Sequence, residues 1–144
     1  MEGRGPEILM AFVVDASAAV SWILPDENDA TARAAHPRLL EGEQAVAPVQ
    51  WWFEVRNVLL VAERRGRVTP EETDASLVVL TNLPVRIAAL SAGRHALTLA
   101  REHRLTFYDA SYLALAIEED LPLATLDRDL RAAAATEGIS LVGS

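Results

Sequence analysis

Four carboxylates stand where predicted strands end or where the following helices begin. Asp15 ends the run FVVD, Asp127 ends LATLD, Asp109 follows LTFY, and Glu54 lies within QWWFEVRNVLL. Ligand sites of open parallel sheets lie beyond the carboxyl ends of the strands, so we expect these side chains to share one pocket. Four carboxylates in one pocket repel one another unless protons or a cation compensate them. The pattern therefore predicts a cation-binding site.

Helix capping is the simpler interpretation of three of these residues. Asp is a preferred N-cap, and Asp15, Asp109 and Asp127 could each cap a helix with a contribution of about 1 kcal/mol. Capping does not require several acids to gather at one end of a sheet. The two interpretations remain open at this point, and they differ in whether Asp→Asn variants lose folding or function.

The types of the candidate ligands indicate which cation would bind. Hard oxygen donors favour Mg²⁺ or Mn²⁺ over zinc. The chain has no cysteine, and no histidine stands at a ligand-like spacing. His36, His95 and His103 are predicted on separate helical segments, as surface residues.

The elements that must position these acids alternate between short apolar strands and helices. Strands are predicted at the FVV before Asp15 and at 45–48, 85–90, 122–126 and 139–142. Helices are predicted at 17–24, 27–41, 50–65, 69–83, 91–104, 108–119 and 127–137. This alternation predicts an α/β fold with a central, mainly parallel sheet flanked by helices on both faces. Residues 1–9 are predicted to be an extension or disordered tail, and residues 10–144 a single domain.

Composition narrows the class of protein. A chain of 144 residues with 51% hydrophobic content forms one ordinary domain. The net charge of −8 argues against a broad basic face for nucleic acid. All 13 basic residues are arginine, which excludes a lysine base or Schiff base. The tight cluster Arg64, Arg65 and Arg67 ends a predicted helix, where cations offset the dipole. Without a signal peptide or a long apolar segment, we expect a soluble, cytoplasmic protein with no membrane partner.

Four segments, in this order, resemble the PIN-domain ribonucleases, in particular the VapC-type toxins of toxin–antitoxin pairs. They are FVVDASAAVSWIL, WFEVRNVLL, TFYDASYLALA and LATLDRDLRAAA, within a similarity that covers Ala11 to Val142. The resemblance implies a PIN-like three-layer fold. It also implies that Asp15, Glu54, Asp109 and Asp127 are the acidic quartet that holds divalent metal, with Ser17, Asn57 and Thr125 as supporting polar residues. Asp129 is either a further ligand or a first-turn charge favoured by the helix dipole.

The activity that this resemblance implies is hydrolysis of RNA by water activated on Mg²⁺ or Mn²⁺, without a protein nucleophile. The metal would reverse the local potential and so allow phosphate to approach an acidic protein. Arg56 and Arg128 are candidates for the rim of the RNA site. The implied partners are RNA, a VapB-like antitoxin, and a second copy of the chain in a homodimer. Trp51, Trp52 and residues 76–80 are candidates for that interface, with one tryptophan in the core and one nearer the surface.

Four alternatives differ from this interpretation in specific residues. A phospho-acceptor receiver domain needs a lysine, which the chain lacks. A haloacid-dehalogenase-type phosphatase needs Asp-x-Asp after the first strand, but residue 17 is serine. Nucleases of the 5′-exonuclease type carry similar acids in much longer chains. A catalytically silent PIN-like module that acts through protein partners remains the main alternative.

Overall fold

The computed structural model describes residues 11–22, 42–91 and 93–143. The elements, in chain order, are β1 (Ala11–Val14), α1 (Ala16–Ser21), β2 (Gln44–Ala47), α2 (Gln50–Arg64), α3 (Pro70–Thr81), β3 (Val85–Ile87), α4 (Arg94–His103), α5 (Phe107–Glu119), β4 (Leu123–Ala124) and α6 (Arg128–Thr136). The predicted tail at 1–9 and the predicted helix at 27–41 lie outside the described residues.

The four strands form one sheet in the order β3-β2-β1-β4, and every pairing is parallel. The predicted α/β fold with a parallel sheet between helices is therefore confirmed. β1 is central, and Phe12, Val13 and Val14 are each 0% exposed because helices cover both faces of the sheet. The chain runs outward from β1 to β2 and β3 and then returns to place β4 on the other side of β1. The strand order thus reverses between β1 and β4, which is where ligand crevices open in such sheets.

Three predicted strands are shorter than expected, and one of them, predicted at 122–126, is reduced to the two residues of β4. β3 ends at Ile87 and not at residue 90, because its partner β2 ends at Ala47 and is followed by Pro48, which has no backbone N–H to continue the ladder. The prediction of a strand at 139–142 is wrong. That segment is reduced to a single parallel bridge between Leu141 and Leu123, since β4 itself is only two residues long.

The helices largely follow the local sequence signals. Thr69 and Glu72 form a reciprocal capping box at the start of α3, with Pro70 in its first turn. α2 ends before Gly66, whose φ of +73° suits glycine. Arg64 occupies the last turn of α2, as expected for a cation near the negative end of a helix dipole.

The paired tryptophans of α2 confirm the prediction that they face different ways. Trp51 is 6% exposed and joins the core, whereas Trp52 is 48% exposed. The prediction for the histidines was wrong in one respect, because His95 and His103 lie on the same helix, α4. The predicted boundary of that helix already contained both residues. Within the described ranges, no helix has the length and apolar character needed to cross a bilayer.

Candidate functional site

Asp15 is a buried carboxylate at the carboxyl end of the central strand. Its side chain is an N-cap of α1 and accepts a hydrogen bond from the backbone N–H of Ala18 at 2.9 Å. It also accepts from the hydroxyl of Ser17 at 2.7 Å and from the hydroxyl of Thr125. Burial raises the pKa of Asp15 to about 6, although these three hydrogen bonds oppose the rise. The capping interpretation is thus correct for Asp15, but a cap alone does not require such burial.

Ser17 and Thr125 bind Asp15 and connect two parts of the chain. Each hydroxyl donates to the carboxylate and accepts a backbone N–H from the β4–α6 connection, Ser17 from Leu126 at 3.1 Å and Thr125 from Asp127 at 3.0 Å. β1 and β4 lie on the two sides of the point where the strand order reverses. These hydrogen bonds therefore link the two walls of the crevice that opens there. Ser17 and Thr125 therefore lie beside Asp15, and their supporting role in the site stays a prediction.

Asp127 and Asp129 lie at the start of α6. Asp127 is the N-cap, and its carboxylate accepts from the N–H of Leu130 at 2.8 Å. Asp129 is exposed in the first turn of the helix. The negative charges of Asp127 and Asp129 each raise the pKa of Asp109.

Asp109 does not cap its helix, so the capping interpretation is wrong for this residue. Thr106 is the N-cap of α5, and its hydroxyl accepts from the N–H of Asp109 at 3.0 Å. α5 begins earlier than predicted because threonine occupies the cap position, which leaves the carboxylate of Asp109 in the first turn without a capping role. Burial is the main cause of its raised pKa, followed by the negative charge of Asp127.

Asp109 couples the acids to one another. Its charge raises the pKa of Asp15 and of Glu54, while the charges of Asp127 and Asp129 raise its own pKa. Interactions of this kind are strong only between close groups that water screens poorly. The fold therefore brings acids from three other segments near Asp109, at the carboxyl edge of the sheet.

Glu54 projects from α2 into a groove beside this cluster. The groove has a volume of about 450 Å³ and is lined by Gln50, Phe53, Glu54, Asn57, Val58 and Tyr108. Asn57 therefore shares the groove with Glu54, as its position one turn later on the helix predicted. Burial raises the pKa of Glu54, and a hydrogen bond from the hydroxyl of Tyr112 to its Oε1 atom, 2.5 Å long, opposes that rise.

Tyr112 is the site residue that sequence reasoning missed. It lies three residues after Asp109, a spacing that places both side chains on the same side of α5. That spacing was the available signal, but a tyrosine in an apolar helix is usually interpreted as core. The core interpretation is also correct, since Tyr112 is 1% exposed.

The arginines proposed for the rim differ in their surroundings. Arg56 lies over the ring of Trp52, with its guanidinium carbon 3.7 Å from the ring centroid, and donates to the carbonyl of Trp52 at 2.9 Å. Partial burial lowers the pKa of Arg56. Arg128 is exposed at the start of α6, between Asp127 and Asp129. Arg56 is thus held on the aromatic surface of α2, whereas Arg128 lies beside the acidic cluster.

The donor set suits a hard divalent cation, since it consists of carboxylates whose negative charges are partly buried and raise one another's pKa. In the described part of the chain, only Glu102, His103 and Glu137 bring three potential ligand atoms within 4.8 Å of one another. Glu102 and His103 lie at the C-terminal end of α4 and Glu137 follows α6, and the ring of His103 and the carboxylate of Glu137 are within hydrogen-bond distance at 2.8 Å. The site carboxylates are more widely spaced, which fits an ion that keeps several of its waters, as Mg²⁺ usually does.

Comparison with known proteins agrees with the fold. Residues 12–136 match the PIN domain, and the chain therefore belongs to the PIN-domain family. Among individual relatives, ribonuclease VapC3 of Pyrobaculum aerophilum is 33% identical over 124 residues, which covers 84% of this chain and 92% of that protein.

Solved structures show the same architecture. PAE2754 from Pyrobaculum aerophilum superposes with a TM-score of 0.66 and 28% identity, covering 90% of this chain and 87% of that one. VapC20 of Mycobacterium tuberculosis, described as a toxin that cleaves the sarcin–ricin loop, gives 0.57 at 20% identity over 85% and 94% of the two chains. A toxin–antitoxin complex from Klebsiella pneumoniae gives 0.57 at 19% identity over 82% and 88%. At these lower identities the likeness concerns the fold.

Proposed function

We propose that this protein is a divalent-metal-dependent endoribonuclease and the toxin of a toxin–antitoxin pair. The observation that carries the proposal is the buried carboxylate of Asp15, which accepts hydrogen bonds from the hydroxyls of Ser17 and Thr125 beside the reversal of strand order. The charge of Asp109 raises the pKa of Asp15, and Asp109 interacts in the same way with the other acids. The 33% identity to a protein named as a ribonuclease supports RNA as the substrate.

Asp15, Glu54, Asp109 and Asp127 would hold Mg²⁺ or Mn²⁺, directly or through water, and Asp129 is a candidate for a further ligand. When bound, the metal supplies Lewis-acid activation of phosphate and water for hydrolysis of the phosphodiester bond. The chain itself orients the carboxylates. Ser17 and Thr125 hold Asp15 by two hydroxyl donors, so its oxygens have little freedom to rotate.

The acidic electrostatics of the site are consistent with this function. The raised pKa values of Asp15, Glu54 and Asp109 mean that their ionised forms are unfavourable without compensation. A divalent cation offsets the repulsion among them and presents positive charge to a phosphate. The net charge of −8 is therefore no obstacle to an RNA substrate at this edge of the sheet.

The proposed partners follow from the family and from exposed apolar side chains. The structural likeness to a chain of a toxin–antitoxin complex supports a VapB-like antitoxin as the partner that restrains the activity. For a homodimer, Trp52, Val78 and Val79 are exposed and remain candidates for the interface, whereas the buried Trp51 and Leu80 do not.

The nuclease function is tested with purified protein and a mixture of structured and single-stranded RNAs. We expect cleavage with Mg²⁺ or Mn²⁺, none with EDTA, and recovery when metal is restored. Asp109→Asn should reduce the rate by about 100-fold or more, because metal-based stabilisation is worth several kcal/mol. The matched control is Asp74→Asn, which changes an exposed aspartate on α3.

Three results would contradict the proposal, each in a different part. Cleavage that persists in EDTA would contradict the proposed metal dependence. A wild-type protein that binds metal and a neighbouring gene product, yet cuts no RNA, favours the silent binding module. If the product of the neighbouring reading frame neither co-purifies with the protein nor inhibits it, the antitoxin part of the proposal is wrong.

A further inference from the structure

The hydroxyl of Tyr112 lies within the acidic cluster although its ring belongs to the core. It donates to Glu54 Oε1 at 2.5 Å, and Tyr112 is the only described side chain that hydrogen-bonds Glu54. Burial raises the pKa of Tyr112 far above its ordinary value, and the charges of Glu54, Asp15 and Asp109 raise it further. Its hydroxyl thus donates to one of the carboxylates of the proposed site.

The ring and the hydroxyl of Tyr112 perform separable tasks. A phenylalanine would fill the same volume in the core, so packing alone does not explain the oxygen atom. The hydroxyl is also not needed to join α2 to α5. One turn earlier on each helix, the side-chain amide of Gln50 donates to the carbonyl of Tyr108 at 3.1 Å, and that bond connects the same two helices.

Glu54 needs an external restraint more than Asp15 and Asp127 do. Asp15 is held by three hydrogen bonds, and Asp127 is fixed as a helix cap. Glu54 has a longer side chain with more rotatable bonds, and it is only partly buried at the wall of an open groove. Without a donor on its carboxylate, it would populate several rotamers, some of which point into the groove and away from Asp109.

We propose that Tyr112 is a positioning residue, whose hydroxyl holds the Glu54 carboxylate in the one orientation that serves the metal-binding cluster. This inference rests on the metal-dependent function proposed above. Tyr112 would act only through Glu54 and would not contact the metal or RNA. Residues that orient metal ligands in this way typically change metal affinity or activity by about 10- to 100-fold when they are replaced.

The test compares Tyr112→Phe with the matched control Ser111→Ala. Ser111 is the neighbouring residue on α5, and its hydroxyl donates to the carbonyl of Phe107 at 2.8 Å, outside the acidic cluster. The first measurement is Mn²⁺ binding to the full chain by calorimetry, without RNA. We expect Tyr112→Phe to weaken Mn²⁺ binding by about 10-fold or more and Ser111→Ala to leave it unchanged.

A second measurement distinguishes positioning from a general structural defect. With saturating RNA and limiting Mn²⁺, the kcat of Tyr112→Phe should fall in parallel with its metal affinity, while KM for RNA changes by less than about 2-fold. In a Glu54→Gln background, adding Tyr112→Phe should have no further effect on Mn²⁺ binding, because residues that act as a unit are not additive. Urea unfolding verifies that each variant is folded. If the phenylalanine variant does not fold, Glu54→Asp replaces it, since the shorter side chain withdraws the carboxylate from the hydroxyl.

The outcomes separate this proposal from the proposed function. A wild-type protein that binds Mn²⁺ and cuts RNA, with a folded Tyr112→Phe variant of equal Mn²⁺ affinity, overturns the role of Tyr112 and leaves the nuclease intact. Full additivity in the Glu54→Gln background overturns it as well. If the wild type itself takes up no Mn²⁺, the proposed function fails, and the positioning role fails with it.

Discussion

Replacing Asp15 with asparagine should make the protein more stable at neutral pH while it removes the proposed activity. Asp15 is buried at the end of β1, and its pKa rises from 3.8 in the unfolded chain to about 6 in the folded protein. The ionised form is therefore less favourable in the folded state than in the unfolded state. Asparagine has nearly the same shape and no charge, so Asp15→Asn removes this cost.

The magnitude follows from linkage between protonation and folding. A rise in pKa from 3.8 to about 6 corresponds to about 3 kcal/mol of destabilisation once Asp15 is ionised in both states, above about pH 6. The folded state binds the proton more tightly, so this cost is absent well below pH 3.8, grows between pH 3.8 and about 6, and is constant at higher pH. Asparagine keeps the oxygen that accepts from Ala18 and Ser17, but its amide cannot accept from Thr125 as a carboxylate oxygen does. That lost hydrogen bond costs about 1 kcal/mol, so we expect a net gain of about 2 kcal/mol at about pH 7.5.

The assay is urea unfolding of both proteins in EDTA, at about pH 7.5 and at about pH 4.5. The difference between variant and wild type should fall by about 2 kcal/mol between these two values. The lost hydrogen bond contributes equally at both pH values and cancels from this comparison. Dilute protein is needed at the lower pH, because the isoelectric point of the sequence is about 4.8.

The pH dependence is the part of the result that can refute the reasoning. If Asp15→Asn is less stable than the wild type by the same amount at both pH values, Asp15 acts as a helix cap and its burial carries no electrostatic cost. Addition of Mg²⁺ gives a second check. The cation should stabilise the wild type more than the variant, since only the wild type presents the full set of charges.

The remaining predictions concern the residues that support the acids and the helices that carry them. Asp109→Asn should not lower the free energy of unfolding, whereas Thr106→Ala should lower it by about 1 kcal/mol, since Thr106 is the cap of α5; chemical denaturation of the two variants checks the difference. Thr125→Val should destabilise by about 2 kcal/mol, because the buried hydroxyl donates to Asp15 and accepts from the N–H of Asp127; unchanged stability in urea would contradict that bracing role. Thr69→Ala removes the capping box of α3 and should cost about 1 kcal/mol while RNA cleavage stays at the wild-type rate. Thermal unfolding and a cleavage time course measure both effects on the same sample.

Features that depend on near neighbours in the chain could be predicted from the order of the residues alone. Alternating apolar strands and helices predicted a parallel α/β sheet, and the order of the strands confirmed it. The capping sequence at Thr69 and the opposite faces of Trp51 and Trp52 also follow from local periodicity. Even the gathering of the acids could be expected, since parallel strands bring their carboxyl ends to one edge of the sheet.

The hydrogen bonds that hold the acids, and the residues that share their surroundings, could not be predicted without the packed fold. Thr125 binds Asp15 across 110 positions of the chain, and Tyr112 binds Glu54 across 58. Such contacts depend on the order of the strands and on the rotation of each helix about its axis, which local patterns do not determine. The same holds for the cap of α5, where Thr106 takes the position that could have belonged to Asp109. The chain position of each carboxylate is known from the sequence. Whether that carboxylate caps a helix or faces other carboxylates depends on where the packed helix begins and on its rotation about its axis.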